Sequence, residues 1–576
     1  MIEKICPKCL VPMNGEKCIK KTCGTKTEMS STIYWCKECN IPLYENTCSV
    51  CGKSGDYIAT DIRPVFPQER LLFALITEKE PYHYMDKSVW YGSNSYIVDG
   101  KKQKIAISEI NSWSIDKIKS IKEKYEAHES EIDSSFFDKN IALFVNANED
   151  RYNYITDEAL SYINSYRDRY EIDDMMVSFS GGKDSTVVSH LVGRALGTNR
   201  VLHIFGDTTL EFPFTMQYRK RFSKNSESQG VHVLNAKNRE KNFEELCEIV
   251  GPPSRVMRWC CTVFKTGAIQ KTISSAFKNK TNILSFQGIR RSESASRSKY
   301  ERESESPKIA KQTVAAPIID WIDFDVWLYI LSTKIDFNDA YKLGYTRVGC
   351  WCCPNNGAWS EFLSKVHMYD QYVHWRDVLV SFARKIGKPD AEDYIDGGYW
   401  KARQGGNGLE AAQKSVVSFE PCATDENSFN YELQRPIAEE LYELFKPFGY
   451  INKELGNKRL GEVYILNKTG KVLLVLQGRI GSTKLKVTIK DFHIAKAKTL
   501  ANAEGKIQCQ LTKYQMCLGC KACEGVCKHD AISVKDIGDN QIVYTIDDNK
   551  CLRCTECVGH FNAGCYMRKV LCIKRG

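Results

Sequence analysis

No run of about 18 apolar residues occurs anywhere in these 576 residues, which argues against a membrane-spanning helix on length alone. The first residues, MIEKICPKC, carry no apolar stretch behind their charges, so no secretory leader is expected. Both absences predict a cytoplasmic chain with no membrane partner. A G-x4-G-K-[ST] loop is also missing, which disfavours kinase-type phosphate binding. Cysteine, by contrast, is abundant at 25 residues. Disulfide scaffolds belong to small secreted chains, whereas here the cysteines fall in C-x2-C pairs along a large one and read as metal ligands.

The formal charge is +10. Ligating cysteines bind as thiolates, so a four-cysteine zinc site or a four-cysteine [4Fe-4S] site contributes about −2, and five such sites would cancel the excess at roughly −10. The overall balance is therefore weak evidence for a nucleic-acid partner. Its distribution says more: between Met216 and Gln312 there are 20 Lys and Arg against 9 Asp and Glu. That stretch should attract polyphosphate or nucleic acid.

A chain of this length is expected to divide into roughly three to five domains. Residues 1–58 hold Cys6, Cys9, Cys18 and Cys23, then Cys36, Cys39, Cys48 and Cys51, with too little apolar material for a core. They read as two four-cysteine zinc-ribbon modules that fold around Zn2+. Residues 59–148 read as a small α/β domain of unassigned role, with a hairpin pattern in WYGSNSYIVDGKKQKIAI and a helical one in SIDKIKSIKEKYEAH. Residues 149–425 alternate apolar strands with helical patterns, which predicts an α/β fold with a doubly wound parallel sheet. Residues 426–505 read as a small α+β module, with helix IAEELYELFKPFG ahead of strands EVYILN, KVLLVLQ and KLKVTI.

Residues 506–576 carry Cys517-x2-Cys520-x2-Cys523-x3-Cys527, then Cys551-x2-Cys554-x2-Cys557 and, after a longer gap, Cys565. The first run is that of bacterial ferredoxins, except that Lys528 stands where proline is usual. The pair of runs predicts an α+β ferredoxin-like domain with two [4Fe-4S] clusters, the fourth cysteine of each run ligating the other run's cluster.

The segment Ser178-Phe179-Ser180-Gly181-Gly182-Lys183-Asp184-Ser185 lies between a predicted strand and a predicted helix, where backbone amides can cradle phosphate oxygens. Gly181 and Gly182 permit close approach, Ser180 and Ser185 add hydroxyls, and Lys183 adds a charge. This segment resembles the SGGxDS loop of the PP-loop superfamily. Further along, Gly206-Asp207-Thr208-Thr209-Leu210-Glu211-Phe212-Pro213 resembles the DTGxxFPET segment of the 3'-phosphoadenylylsulfate (PAPS) reductase family. Gly288-Ile289-Arg290-Arg291-Ser292-Glu293-Ser294 with Arg297 is similar to that family's GxRxxESxxR strip, and Pro317 to Trp327 to its PxxxWxxxDVW element.

The resemblance implies an adenine nucleotide, ATP or a sulfonucleotide, held by the loop and by Gly288. It implies an anion clamp of Arg290, Arg291 and Arg297, with Asp184 as the expected contact for Mg2+ and Asp207 at a strand end beside the ligand. The catalytic set on this reading is Ser180, Lys183, Asp184, Asp207 and Arg290. Cys260-Cys261 and the Cys350-x2-Cys353 pair resemble the arrangement that binds one [4Fe-4S] cluster in the adenylylsulfate (APS) reductases and in the ATP pyrophosphatases of DNA phosphorothioation. Cys352 is then an uncommitted thiol beside it. The cofactor set expected is a nucleotide with Mg2+, three [4Fe-4S] clusters and two Zn2+.

One departure separates the possible functions. The reductases act through a cysteine in an ECGLH-like motif, and neither Cys422 in EPCATDE nor Cys572 in LCIKRG stands in that context. This favours ATP chemistry: a pyrophosphatase and sulfur transferase that adenylates a nucleic-acid backbone, DNA before tRNA, with a cysteine desulfurase or other sulfur donor as partner. The two-cluster tail argues the other way, toward an APS or PAPS reductase fed electrons by its own ferredoxin module, with an electron-donor protein as partner. A nucleotide-binding redox sensor without turnover is the third reading.

Overall fold

The computed structural model describes every residue except 1, 7–10, 13–16, 19–22, 24–27, 226–229, 239–241, 256–257, 295–296, 307–311, 403–416, 518, 520–521, 538–541, 560–564, 566–572 and 576. At its centre is a six-stranded sheet built from β1 (Met175–Phe179), β2 (Leu202–Asp207), β3 (Val233–Lys237), β4 (Ile283–Gln287), β5 (Glu303–Glu305) and β6 (Gln312–Ala315). The strand order is β3-β2-β1-β4-β6-β5, with every pair parallel except the edge pair β5 and β6. β1 therefore sits where the order reverses, and ligands of such open sheets bind beyond the carboxyl end of the strand at that point.

Helices α1 (Lys183–Leu196), α2 (Pro213–Lys224), α3 (Gly267–Ala276) and α4 (Asp323–Thr333) flank the sheet. Both faces of β1 are buried. Met175 and Val177 pack with Val188 and Leu191 of α1 and Val326 and Trp327 of α4, while Met176 packs with Ile204, Ile283 and Ile273 of α3 on the other side. Such two-sided burial accounts for the continuous apolar run MMV that opens β1.

The segment before the sheet is welded to it. Strands Ile33–Cys36, Ile41–Leu43 and Asp56–Ala59 form a small antiparallel sheet whose core includes Phe324 and Leu328 of α4. Next to it is a four-stranded sheet in which Val89–Gly92 and Ser95–Val98 form a two-residue hairpin. Ser93 and Asn94 take φ of 51° and 56°, the left-handed values that a hairpin turn of this length favours.

Beyond the six-stranded sheet, seven strands form a second one: Val417–Pro421, Ser428–Glu432, Tyr450–Asn452, Glu462–Leu466, Val472–Gln477, Lys484–Ile489 and Ile573–Arg575. Its core runs from Tyr431 to Val558 and takes in Cys523 and Cys557. One apolar core thus crosses the 505/506 boundary suggested by cysteine density, and Val417–Pro421 joins this sheet from before residue 426. Only Glu439–Glu443 is helical within the IAEELYELFKPFG pattern. Pro447, which has no N–H to donate, and the strand beginning at Tyr450 cut that pattern short. No helix among the described residues is long and apolar enough to cross a membrane.

Candidate active site

β1 ends at Phe179 and α1 begins at Lys183, so residues 180–182 form a tight strand-to-helix turn. Gly181 holds φ at +70°, and a methyl group there would come within 2.9 Å of Thr215 Cγ2. The turn is braced from within: the Ser180 amide donates to Ser185 Oγ at 3.2 Å, and Ser185 Oγ donates to the Gly182 carbonyl at 2.9 Å. From outside, Asn338 Nδ2 donates to the Gly181 carbonyl at 3.0 Å and the Tyr341 hydroxyl accepts the Lys183 amide at 3.0 Å. Gly288, at the end of β4, lies so close that a methyl group would sit 2.7 Å from the Asp184 carbonyl carbon. Only glycine lets the end of β4 come this close to the first turn of α1.

The turn opens into a cavity of about 660 Å³, within the range of small-molecule sites. Ser178, Ser180, Gly182, Lys183, Asp184, Ser185, Gly288, Arg290 and Arg297 all line it. Gly181, Asp207 and Arg291 do not. Asp207 is buried behind the turn, accepting the Thr209 amide at 2.9 Å and Asn235 Nδ2 at 3.0 Å. Arg291 pairs with Asp320 and donates Nε to the Tyr300 carbonyl at 3.0 Å. A separate cavity of about 360 Å³, near Ser189, His190 and His203, is lined by none of residues 180–185.

Two of the cavity's cations are already neutralised. Arg290, 3% exposed, donates Nε to Asp184 Oδ1 at 2.6 Å and Nη2 to Asp323 Oδ1 at 2.7 Å. Lys183 Nζ lies 3.3 Å from each of the same two carboxylates. Burial works against all four charges, yet the pairing outweighs it. Asp323 is held down at about 2, Asp184 is lowered, and Lys183 and Arg290 are raised. Asp61 stands on the edge of this group, where desolvation and then the Asp323 charge push it up to about 7.

Three further cations line the cavity, opposed by Glu211 and Glu293, and two of the three are residues the motifs did not single out. Lys265 and Arg347 line the cavity with Arg297, which is paired with Glu293. Burial, then Arg347, lowers Arg297. Both missed cations had a local signal: Lys265 follows Cys260-Cys261 by four residues, and Arg347 precedes Cys350 by three. Asp323, Asp61 and Tyr341 had none.

The cysteines of this domain stand beside the cavity. Cys261 opens a π-helical turn, Cys261–Thr266, a local irregularity that recurs at functional sites. Residues 206–213 hold the other pair: Thr208 Oγ1 is 3.4 Å from Cys350 Sγ, Glu211 bridges Cys350, and the Trp351 amide donates to the Leu210 carbonyl at 3.0 Å. Cys260 feels the charges of Cys261, Cys350 and Cys352, and Cys350 that of Cys353. Among the described residues these sulfurs do not form one of the close groups that could hold a single metal ion.

At the N-terminus the geometry is tighter. The sulfurs of Cys36, Cys39, Cys48 and Cys51 all lie within 4.8 Å, with Cys36 to Cys51 at 3.4 Å and Cys39 to Cys48 at 3.8 Å. Tetrahedral bonds of about 2.3 Å place sulfurs roughly 3.8 Å apart, so this group could hold one metal ion. Cys6, Cys18 and Cys23 form a second group, and Cys9 lies outside the described residues.

In the C-terminal segment Cys517 interacts with Cys523 and Cys565, while Cys551 interacts with Cys527 and Cys554, and Cys557 with Cys523, Cys527 and Cys551. Cys520 and Cys572 lie outside the described residues. Cys422 stands apart: its thiol is lowered to about 7, first by the Thr424 hydroxyl and then by nearby backbone amides.

Residues 174–356 match the family described as the phosphoadenosine phosphosulfate reductase domain. Two uncharacterized proteins of Methanocaldococcus jannaschii are each 32% identical to this chain, over 259 and 269 residues, or 45% and 46% of it. The chain covers 52% and 61% of their lengths. Adenosine 5'-phosphosulfate reductase of Neisseria meningitidis is 29% identical over 136 residues, 23% of this chain and 48% of the relative. The parallel sheet and the turn at its reversal point lie within residues 174–356, the stretch that is similar to the phosphoadenosine phosphosulfate reductase domain.

Proposed function

We propose that the chain is a reductase of adenine sulfonucleotides: it holds APS or PAPS on the 180–185 turn and releases sulfite with electrons that enter through residues 506–576. One observation carries this reading. Helix Ala522–Val526 of the C-terminal segment packs against α3 and the π-helical turn at Cys261, and Cys565 packs into the apolar cluster that touches Cys260. Activation of an acceptor by ATP needs no electrons, so a cysteine-rich module docked at this point favours reductive chemistry.

The residues present fit the groups this requires. Cys517, Cys523 and Cys565, with Cys520, would form one four-thiolate set; Cys527, Cys551, Cys554 and Cys557 would form the other. This is the exchange of fourth ligands expected of paired ferredoxin runs. Cys260, Cys261, Cys350 and Cys353 would hold a third centre, and the N-terminal groups would hold Zn2+. Bound clusters supply one-electron carriers.

The rest is the work of the protein's own groups. The amides of Asp184 and Ser185 and the Ser180 hydroxyl hold the nucleotide's phosphate, and Asp184, whose two oxygens meet Arg290 and Lys183, would take Mg2+ only by releasing one of them. Arg297, Arg347 and Lys265 face the sulfonyl end and stabilise the charge that grows there. Two electrons break the sulfur–oxygen bond of the sulfonucleotide; the nucleotide keeps the bridging oxygen and the sulfur departs as sulfite. An external electron-donor protein restores the electrons.

A second reading keeps the same site and is favoured by the missing ECGLH-like motif and the basic stretch 216–312. In it the turn holds ATP, a nucleic-acid oxygen attacks the alpha-phosphorus, pyrophosphate leaves, and sulfur from a donor displaces the adenylate. Anaerobic incubation of the iron-loaded protein separates the two. Sulfite and AMP from APS with reductant, lost in Ser180→Ala and Asp184→Ala at unchanged iron content, support the reductase. Pyrophosphate and AMP from ATP, stimulated by DNA, would transfer support to the second reading, and neither product would sink both.

A further inference from the structure

We propose that the metal-held N-terminal module completes the nucleotide site through Asp61, a positioning residue that fixes Asp323 and, through it, Lys183 and Arg290. The proposal rests on the reading of residues 180–185 as a nucleotide cradle, and it adds a residue that lies well outside the matched domain.

The argument begins with a helix that lacks its own cap. α4 starts at Asp323, and the residue before it is Ile322, whose side chain has no oxygen to accept the first-turn amides. Asp61, 262 positions earlier in the chain, supplies the acceptors: Oδ2 takes the Asp323 amide at 2.9 Å and Oδ1 takes the Phe324 amide at 2.9 Å. Asp325 takes the Ile322 amide at 3.1 Å. The end of α4 is thus fixed by a carboxylate from another part of the chain. The side chain fixed most directly is Asp323, the carboxylate shared by Lys183 and Arg290.

Asp61 is itself fixed by the cysteine module. It follows strand Asp56–Ala59, which pairs with Ile33–Cys36, the strand that ends on a member of the four-cysteine group. Ile33, Trp35, Ala59 and Ile62 share a core with Phe324 and Leu328 of α4. On the other side the backbone at Gly92 presses so near that a methyl group there would lie 2.5 Å from the Asp61 carbonyl oxygen. The chain from Cys36 to Asp61 is therefore a strut between a metal cage and the ion pairs under the nucleotide. It also places a second carboxylate against Asp323, an arrangement tolerated because Arg290 acts on both and Lys183 pairs with Asp323.

The test compares wild type, Asp61→Ala, Asp61→Asn and Cys39→Ser by calorimetric titration with ATP and with APS, alongside zinc and iron content and melting temperature. Asp61→Ala should weaken nucleotide binding about tenfold at unchanged metal content, the scale of one lost cap. Asp61→Asn keeps one acceptor oxygen and should fall between. Cys39→Ser should lose one zinc and weaken binding similarly, and the double variant Asp61→Ala, Cys39→Ser should be no weaker than either alone, because both act through one strut. Wild-type affinity in Asp61→Ala, or additive losses in the double variant, would overturn the proposal while leaving the cradle intact. If Asp61→Ala does not fold, Asp61→Asn decides by the same comparison. Wild-type protein that binds neither nucleotide would remove the cradle reading itself, and this proposal with it.

Discussion

His203, on β2, is buried, and its two ring nitrogens are both committed. Nδ1 donates to the Val201 carbonyl at 2.8 Å, which leaves Nε2 to accept from the Ser189 hydroxyl at 2.8 Å. A proton on Nε2 would displace that donor in a desolvated place, so burial lowers the ring from 6.5 to about 4. In the unfolded chain the ring takes its proton near 6.5. The stability His203 contributes is therefore complete above about 6.5 and is lost as pH falls toward 4. In denaturant titrations across that window, His203→Gln should show a shallower loss of stability than wild type; an unchanged slope would contradict the assignment.

At the scale of elements, connections between segments matter more than the segments' own propensities. Arg151, on helix Glu149–Asn164, makes a two-pronged pair with Asp325 of α4 at 2.9 Å for both contacts and lies 3.8 Å over the ring of Tyr44. One guanidinium thus ties a helix, the cap region of α4 and the N-terminal module together. Asp325 is fully buried, so removing its partner leaves a stranded charge. Arg151→Ala should cost on the order of 3 kcal/mol, seen as a lowered melting temperature, with Arg151→Lys recovering only part because lysine cannot make both contacts.

These ties explain which parts of the site could be read from residues alone. Ser180 to Ser185 and Gly288 act through local backbone geometry, so their types and spacing reveal them. Asp61 and Tyr341 carry no pattern; they matter because folding brings them to a turn more than a hundred positions away. Arg290 was legible as a site residue but not as a charge already held by Asp184 and Asp323, since ion pairing depends on neighbours that spacing does not specify. Likewise the strands after residue 460 stood out by alternation, whereas the short helix Glu439–Glu443 was overestimated from an apolar pattern that belongs to a buried turn.

For the whole molecule, the core from Tyr431 to Val558 argues that the cysteine-rich tail does not stand alone. Ile507, Leu511 and Tyr514, on helix Leu500–Met516, fill the space beneath the seven-stranded sheet, and Lys513 donates to the Cys557 carbonyl at 2.7 Å. A chain ending at residue 505 would uncover that face and should aggregate or bind a hydrophobic dye, where a separable tail would leave a monodisperse protein.

The balanced ion pairs beneath the turn at residues 180–185 have a kinetic corollary. Arg290 and Lys183 set against Asp184 and Asp323 amount to little net field a Debye length away, and Glu293 offsets Arg297, so an approaching anion would be drawn chiefly by Arg347 and Lys265. Long-range capture and close grip would then fall to different side chains: ionic strength would tune the first and leave the second nearly untouched.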